Sequence, residues 1–397
     1  MSSTKKVLTL DGRKITLLGT AHVSKESCEE VKTEILNEKP DCVAIELDER
    51  RYNSMIDPES WKKLDIVKVL KRREGFLMLA NLVLGSFQRR MGKNVGVKPG
   101  DEMMAAINCA KENNIEFSLV DRPIQVTLRR AWAKNNFWGK CKLLASLVAS
   151  AFDNEEISEE QIENLKKENE MDTMMGELAE YLPTVKEVLI DERDRYLATH
   201  IWNSKGNNIV AVLGAGHLGG VEAYLTKIAE QKAVTDTSDI ETAPSGGVAG
   251  KIIGWAIPVI IVGLIAYGFI AHGKDVGSDM LFKWVMWNGS LAALGSLLAL
   301  ANPITIIVAF VGAPLTSLCP LIGVGILTGI TQAVVCKPKV EDIEKLQDDV
   351  CHFKGWYTNK ILRVFIVFFL SSLGSTIGTF VAGGDILLLL KNLGFEE

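Results

Sequence analysis

Two histidines follow apolar segments that share one pattern. The sequence reads ITLLGTAHVS around His22 and VAVLGAGHLGG around His217, about 195 positions later. In each copy a predicted strand leads into Gly-x-x-His and then into a helix, whose N-terminus disfavours the charged imidazolium. A neutral imidazole nitrogen is a common metal ligand. One such motif carries little information, but two copies at strand ends predict that His22 and His217 bind the same metal ion.

Charged residues follow two other predicted strands. Glu46 lies near the end of the apolar segment DCVAIEL, and Asp121 and Arg122 follow the segment IEFSLV. Ligands bind at the carboxyl edge of open α/β sheets, so these side chains are expected to converge with the histidines. Two histidines and one or two carboxylates suit Zn, Mn, Co or Fe. A structural Asp121–Arg122 pair, and a capping or ion-paired Glu46, are the alternatives.

A run of alternating charges, DERDR at residues 191–195, lies in a predicted helix. Such a run is usually a solvated helix face. Arg193 and Arg195 fall on opposite sides of the helix, so one of them is expected to point inward and bind an anion or a substrate. His200, on the same helix, fits a packed or surface position better than a ligand position.

The predicted elements form an α/β fold. Asp11-Gly12 between two apolar segments indicates a hairpin. Buried strands are predicted at residues 41–47, 115–120 and 208–213, with helices between them. Parallel strands need such crossovers, so we predict a mixed sheet with a largely parallel core. The apolar segment Gly75–Phe87 is too short to span a bilayer and is predicted to be a lid or a buried helix.

Charge divides the chain into two blocks. Residues 1–250 contain 34 Lys and Arg and 39 Asp and Glu, whereas residues 251–397 contain 10 of each. The 53 positions between Lys283 and Lys337 are uncharged, more than twice the ~20 apolar residues that span a bilayer. We predict a soluble domain at residues 1–231, a linker at 232–250 rich in Thr, Ser, Gly and Pro, and an all-α transmembrane domain at 251–397.

The transmembrane domain is predicted to hold four or five membrane segments. Apolar stretches at 252–271, 284–301, 304–335 and 361–381 give five crossings if the third, which Pro314 and Pro320 interrupt, forms two spanning helices. Three spans with a re-entrant hairpin are the alternative. The 336–363 connection holds six Lys and Arg residues against two in the 272–283 connection, so the soluble domain is expected on the cytoplasmic side of the cell membrane.

The composition also limits the partners. The net charge is −5 and no basic stripe is present, so we expect no nucleic-acid partner. The N-terminus lacks the apolar core of a secretory signal, and seven scattered cysteines without a CxxC pair favour a reducing compartment. The expected partners are a peptide and the lipid bilayer, and a homo-oligomer is left open.

These motifs resemble the TraB/PrgY family, which includes bacterial pheromone-shutdown proteins and is related to the Tiki membrane metalloproteases and to GumN-like proteins. The resemblance lies in the two Gly-x-x-His motifs, in IELD at 45–48 and DER at 191–193, and in NPIT at 302–305 and APLTS at 313–317. It implies an erythromycin-esterase-like α/β fold, metal-dependent peptide hydrolysis in the Tiki branch, and limitation of a secreted peptide pheromone in the bacterial branch.

The resemblance and the positions together give a set of candidate residues. The metal ligands are His22, His217 and Glu46; the catalytic residues are Glu46, Arg122 and Arg193; the substrate-binding residues are Asp121 and Arg195. Tiki proteins act outside the cell, whereas the charge distribution here places the soluble domain inside.

We therefore expect a membrane-tethered hydrolase that uses a divalent Mn, Co or Zn ion to cleave peptides. The ion would lower the pKa of a bound water towards 7, Glu46 would take its proton if it is not a ligand, and an arginine would balance the oxyanion. A non-catalytic protein that sequesters a peptide or lipid is one alternative. A channel or transporter regulated by the soluble domain is another.

Overall fold

The structure is a computed structural model. It describes residues 5–20, 25–57, 66–72, 75, 78–80, 82–83, 85–86, 100–152, 180–244, 248–319 and 323–393. The candidate ligand His22 lies outside the described residues, as do parts of the predicted lid at 75–87 and of the predicted linker. The chain forms two compact units, residues 1–60 with 83–245 and residues 61–82 with 246–397.

The helices and strands are as follows. The strands are β1 (Lys5–Leu10), β2 (Arg13–Thr20), β3 (Cys42–Ile45), β4 (Glu116–Leu119) and β5 (Asn208–Gly214). The helices are α1 (Lys25–Glu38), α2 (Glu49–Ile56), α3 (Ile66–Lys71), α4 (Asp101–Glu112), α5 (Ile124–Lys134), α6 (Phe137–Phe152), α7 (Pro183–Lys186), α8 (Glu192–Trp202), α9 (Leu218–Ala229), α10 (Val248–Ala271), α11 (Gly273–Leu298), α12 (Pro303–Thr316), α13 (Val324–Cys336), α14 (Val340–Glu344), α15 (Leu346–Asp349), α16 (Phe353–Thr358) and α17 (Lys360–Leu393).

The first unit is built on a sheet with the strand order β1-β2-β5-β3-β4. The β1–β2 hairpin is antiparallel, and Asp11 and Gly12 at its turn both have positive φ, as the Asp-Gly pair predicts. The pairs β2–β5, β5–β3 and β3–β4 are parallel. The predicted mixed sheet with a largely parallel core is therefore confirmed.

Apolar residues alternate between the two faces of the sheet, and helices cover both faces. Ala211 and Leu213 of β5 pack with residues of α8 and α9, whereas Val210 and Val212 pack with residues of α1 and α4. A strand that is buried on both sides must be apolar at every position, which explains the segment NIVAVL. The resulting helix–sheet–helix layers form a continuous core that fixes the ends of the strands.

The register brings the carboxyl ends of four strands to one edge of the sheet. Thr20 of β2 lies opposite Gly214 of β5, and Ile45 of β3 lies opposite Val212 and Leu119. The pairing continues one residue beyond β3, because the Glu46 N–H donates to the Val212 carbonyl at 3.0 Å. Residues that follow these strands therefore share this edge.

The second unit is helical. The charged stretch 274–283, which was expected to be a connection, forms the first part of α11. Its charges are compatible with a helix because Lys283 pairs with Asp279 one turn earlier at 3.3 Å and with Asp385 of α17 at 3.5 Å. The predicted boundary at residue 284 is therefore displaced to Gly273.

In the described part of the chain, one helix, Lys360–Asn392 with 33 residues, is long and apolar enough to cross a bilayer by length and composition. Shorter apolar helices cover Trp255–Ala271, Pro303–Thr316 and Val324–Cys336. The helical character of the C-terminal block is confirmed, and its multiple crossings stay a prediction.

The boundary between the units also differs from the predicted one. Residues 232–244 belong to the first unit, and residues 61–82 belong to the second. The Thr- and Ser-rich composition predicted a linker, but Ile240 within it is only 2% exposed. The part of the predicted linker around Ile240 is thus packed on the α/β unit.

Glycines let α11 and α17 approach closely, and this contact can be tested. A Cβ on Gly374 would lie 2.1 Å from the Leu291 carbonyl oxygen, whereas a Cβ on Gly384 of the same helix meets nothing within 4 Å. We expect Gly374→Ala to lower the free energy of unfolding by about 1–3 kcal/mol through overpacking, and Gly384→Ala to leave it unchanged or slightly higher. Denaturant midpoints of the two variants of the full chain test this, and equal midpoints would contradict the close packing.

Candidate active site

Three loops and one helix meet at the carboxyl edge of the sheet. Glu46 follows β3, Asp121 follows β4, and His217 ends a short 3₁₀ turn between β5 and α9. The fourth contribution comes from α8, whose second and third residues are Arg193 and Asp194. All of these side chains are buried or nearly so.

The guanidinium of Arg193 contacts each of the three loops. Its Nε and Nη2 atoms donate to the two oxygens of Asp121 at 3.1 and 2.8 Å, and Nη2 also donates to Glu46 Oε1 at 2.7 Å. Its Nη1 lies 3.0 Å from His217 Nε2. Burial alone would lower the pKa of Arg193, but the carboxylates of Asp121 and Glu46 raise it well above its ordinary value.

The contacts of His217 define its tautomer. Nδ1 lies 2.5 Å from Asp194 Oδ1, and Nε2 lies 3.0 Å from Arg193 Nη1. An arginine N–H can only donate, so Nε2 accepts and the ring proton lies on Nδ1, where it is donated to Asp194. Burial raises the pKa of the Asp194 carboxyl above its usual range, and the contact with His217 opposes that rise. The ring thus presents the lone pair of Nε2 to the interior of the site.

The carboxylate of Glu46 is fixed from both ends. Its Oε2 accepts from the Gly214 backbone N–H at 2.6 Å, and its Oε1 accepts from Arg193. The same Oε1 lies 3.7 Å from His217 Nε2. The side chain is 3% exposed, so its orientation is set by these contacts rather than by solvent.

This edge of the sheet carries more acid than base. Asp48 caps α2, and burial raises the pKa of its carboxyl above the usual range. Arg51 lies 3.4 Å from Asp121 Oδ2 and 3.8 Å from Asp48 Oδ2. In the described part of this edge, two guanidiniums face four carboxylates, those of Glu46, Asp48, Asp121 and Asp194. The excess negative charge favours the binding of a cation.

Arg122 lies in a separate cluster around Glu192. Its Nη1 donates to Glu192 Oε2 at 2.8 Å, its Nη2 to the Val188 carbonyl at 2.9 Å, and its Nε to Thr127 Oγ1 at 3.0 Å. Arg130 donates to both oxygens of Glu192 at 2.7 and 2.8 Å. The side chain of Arg122 therefore holds the start of α8 rather than joining Glu46 and His217.

Glu192 is the acid that these cations share. Burial alone would raise its pKa, but hydrogen bonds from Arg130, Lys134 and Arg122 lower it from 4.5 to about 2. The buried carboxylate is thus ionised throughout the physiological range. The negative charge of Glu192 in turn offsets the desolvation cost of the buried Arg122 and Arg130 guanidiniums.

Arg195 points away from the sheet edge. It pairs with the carboxylate of Asp239 at 2.7 and 2.9 Å and donates to the Asp236 carbonyl at 2.5 Å. Of the two arginines on this helix, Arg193 is therefore the one that faces Glu46 and His217. Asp194, the second residue of the stretch that contacts the site, was not among the predicted site residues.

The sequence did contain a signal for Asp194. Leu197 and Ala198 lie three and four residues later and are both fully buried against the sheet. Side chains at those spacings share a helix face, so the apolar positions place Asp194 on the buried side. The composition of the charge run alone predicts a solvated face, whereas the apolar residues that follow it indicate that Asp194 is buried.

The described residues contain no group of three or more His, Cys, Asp or Glu side chains arranged to hold a metal ion. His217 and Glu46 come together, whereas His22 is one of the residues that the structure does not describe. His22 follows Thr20, the last residue of β2, by two positions.

Family comparisons match both blocks of the chain. The description "TraB/PrgY/gumN family" applies to residues 6–235, and "TraB family protein, C-terminal domain" applies to residues 249–391. The chain belongs to the TraB/PrgY/gumN family. An uncharacterized protein of Methanocaldococcus jannaschii is 34% identical over 94% of both chains. The human TraB domain-containing protein is 27% identical over 68% of this chain and 77% of its own length, and the bovine protein is 28% identical over 68% and 76%.

The Asp194–His217 contact depends on a glycine in α9. A Cβ on Gly220 would lie 1.8 Å from Asp194 Oδ2, whereas a Cβ on the adjacent Gly219 meets nothing within 4 Å. We expect Gly220→Ala to shift the ring ¹⁵N resonances of His217 away from the Nδ1-protonated form and to destabilise the fold by about 1–3 kcal/mol. NMR of histidine-labelled full chain measures this, with Gly219→Ala as the unchanged control. Identical spectra for the two variants would show that Asp194 does not set the tautomer.

The lowered pKa of Glu192 gives a stability prediction. Its folded-state pKa of about 2 lies below the unfolded value of 4.5, so its stabilisation is present above pH 4.5 and is lost as pH falls towards 2. We expect Glu192→Gln to lower the free energy of unfolding at pH 7 by about 3 kcal/mol. The difference in stability between this variant and the native chain should become smaller as pH falls from about 4.5 to about 2.

Glu187→Gln is the matched control, because Glu187 accepts from the same Lys134 at 2.7 Å but is half exposed. Its effect should stay within about 1 kcal/mol. Denaturant unfolding at pH 7, 4 and 3 separates the two variants. A Glu192→Gln difference that does not change with pH would contradict the ionised, ion-paired state.

Proposed function

We propose that the α/β unit is a hydrolase that uses a divalent metal ion to cleave peptides. The observation that carries this proposal is the His217 ring, whose Nδ1 is held by Asp194 and whose Nε2 faces Glu46. A carboxylate on the second ring nitrogen is the arrangement by which proteins orient metal-binding histidines. The same edge of the sheet is where α/β proteins bind ligands.

The residues present fit such an ion in three respects. His217 Nε2 and Glu46 Oε1 lie 3.7 Å apart, close to the roughly 3 Å that separates neighbouring ligands bonded at about 2.0–2.2 Å. The site has an excess of carboxylates. A metal would replace the Nη1 contact to Nε2 and compete with Nη2 for Glu46 Oε1, whereas the contacts of Nε and Nη2 with Asp121 could stay. We propose His22 as the further ligand and Mn, Co or Zn as the ion.

The chemistry follows from the positions of these groups. A bound divalent ion supplies a water of lowered pKa and polarises the scissile carbonyl. Glu46 serves either as a ligand through Oε1 or as the base that accepts the proton of the attacking water. Arg193 is placed to balance negative charge on the substrate or to hold its carboxylate, because its side chain already borders Nε2 and Oε1. Asp121 holds Arg193 in place through their ion pair. Arg195 is partly exposed and pairs with Asp239, away from Glu46 and His217.

Membrane attachment is the second part of the proposal. Besides the helix Lys360–Asn392, α12 exposes one apolar face formed by Ile304, Ile307, Val311 and Leu315, each more than half exposed. Residues at this spacing form a continuous stripe, which a lipid bilayer would cover. The proposal is an integral protein of the cell membrane with several crossings. The Lys-rich connection at 336–363 favours a cytoplasmic α/β unit.

A non-catalytic function is favoured by one observation. Arg193 hydrogen-bonds both His217 Nε2 and Glu46 Oε1, so the two groups are already occupied by a cationic side chain. A protein in which this arrangement persists would bind a peptide without hydrolysing it. The two functions differ in whether the peptide is cut.

Metal content and peptide cleavage test the proposal. We expect the purified full chain to bind about one divalent ion per molecule, and His217→Ala or His22→Ala to lower the metal content at least tenfold through loss of a ligand. His200→Ala is the control, because His200 stacks on Tyr196 within α8. Elemental analysis after equilibration with Mn, Co or Zn measures the content. Equal content in all four proteins would refute the ligand assignment.

A peptide library incubated with the metal-loaded chain reads out the reaction by mass spectrometry. Cleavage that disappears in Glu46→Gln supports hydrolysis. Intact peptides that co-purify with the chain support sequestration instead.

A further inference from the structure

A segment that follows α9 in the chain is bound by arginines. Residues 236–242, here called the strap, lie within the predicted linker. Arg122 Nη1 donates to the Ile240 carbonyl at 3.1 Å, and Arg130 Nη1 donates to the Asp239 and Thr242 carbonyls at 2.9 and 2.5 Å. Arg195 binds the Asp239 carboxylate, as described above. The strap is therefore held mainly through its backbone.

The strap also has order of its own. The Ile240 and Glu241 N–H groups both donate to the Thr237 carbonyl, at 2.9 and 3.1 Å, and Thr237 Oγ1 donates to Glu241 Oε1 at 2.7 Å. The turn places the Ile240 side chain, 2% exposed, in the protein interior. An apolar anchor with surrounding hydrogen bonds is typical of a docked segment and unlike a flexible linker.

The same two guanidiniums hold the strap and Glu192. Arg122 Nη1 serves both Glu192 Oε2 and the Ile240 carbonyl. Arg130 uses Nε and Nη2 for Glu192 and Nη1 for the strap. Both arginines are nearly inaccessible, so release of the strap would leave buried N–H groups without acceptors. The positions of the strap and of Glu192 are therefore coupled.

Glu192 is in turn continuous with the site. It is the first residue of α8, and Arg193 and Asp194 follow directly. The preceding turn, Glu187–Asp191, is π-helical, and Arg122 Nη2 holds its Val188 carbonyl. A π turn changes the direction in which the following helix presents its side chains. Arg122 thus fixes both the turn and the first residue of the helix.

We propose that docking of the strap positions Arg193 and Asp194 at the sheet edge, so that the site is assembled only while the strap is bound. Arg122, Arg130 and Glu192 are positioning residues in this arrangement. The inference rests on the proposed function only in treating Arg193 and Asp194 as site residues.

Release of the strap tests the proposal without an activity assay. Ile240→Asp places a charge at the buried anchor of the full chain, and Val234→Asp, at a position 69% exposed just before the strap, is the matched control. We expect Ile240→Asp to raise hydrogen exchange about tenfold or more over residues 236–242 and over 187–195. The Nδ1-protonated ¹⁵N signal of His217 should be lost in parallel, while Val234→Asp leaves both measurements as in the native chain.

A second variant distinguishes release of the strap from general unfolding of the Ile240→Asp protein. Arg130→Lys keeps a cation for Glu192 but lacks the fork that reaches the strap carbonyls. It should release the strap partially and shift the His217 signal in the same direction, with α1 and α4 still protected. A released strap with an unchanged His217 signal and unchanged exchange in α8 would overturn the proposal. Neither result depends on a bound metal or a peptide, so failure here is separable from failure of the hydrolase assignment.

Discussion

The clustering of buried acids at one sheet edge depends on the guanidinium of Arg193. Glu46 and Asp121 follow neighbouring parallel strands, and two ionised carboxylates at such positions would repel each other in the absence of a cation. Arg193 donates to both of them and to His217, so one side chain joins the ends of β3, β4 and β5. The sheet brings the groups to the same edge, and this arginine makes their proximity stable.

The first turn of α8 divides its charges between two networks. Arg193 and Asp194 contact the sheet edge. Glu192 instead contacts Arg122 and Arg130, which hold residues 236–242, and Arg195 binds Asp239 of that segment directly. Successive residues of a helix point about 100° apart, so four neighbours reach groups on different sides. Each of the four charged residues at 192–195 therefore has its own partners, although the sequence alone shows only a run of alternating charges.

The backbone of the α/β unit was predictable because its strands are apolar runs of the right length between turn and helix signals. Glu46, Asp121 and His217 follow such runs, and the parallel register alone brings them together. The partition of Arg122 and Arg193 between two clusters was not predictable, because long side chains on loops and helices can reach several acids. The packed segment around Ile240 was missed because it is held through backbone carbonyls, which have no sequence signature.

The π-helical turn at Glu187–Asp191 sets the direction of the charged side chains that follow it. Successive residues of a helix point about 100° apart, so a rotation of α8 by one position would bring Glu192 or Asp194 to the place that Arg193 holds beside His217. Both of these neighbours are acids. The sign of the charge that meets the imidazole therefore depends on the angle at which this turn starts the helix.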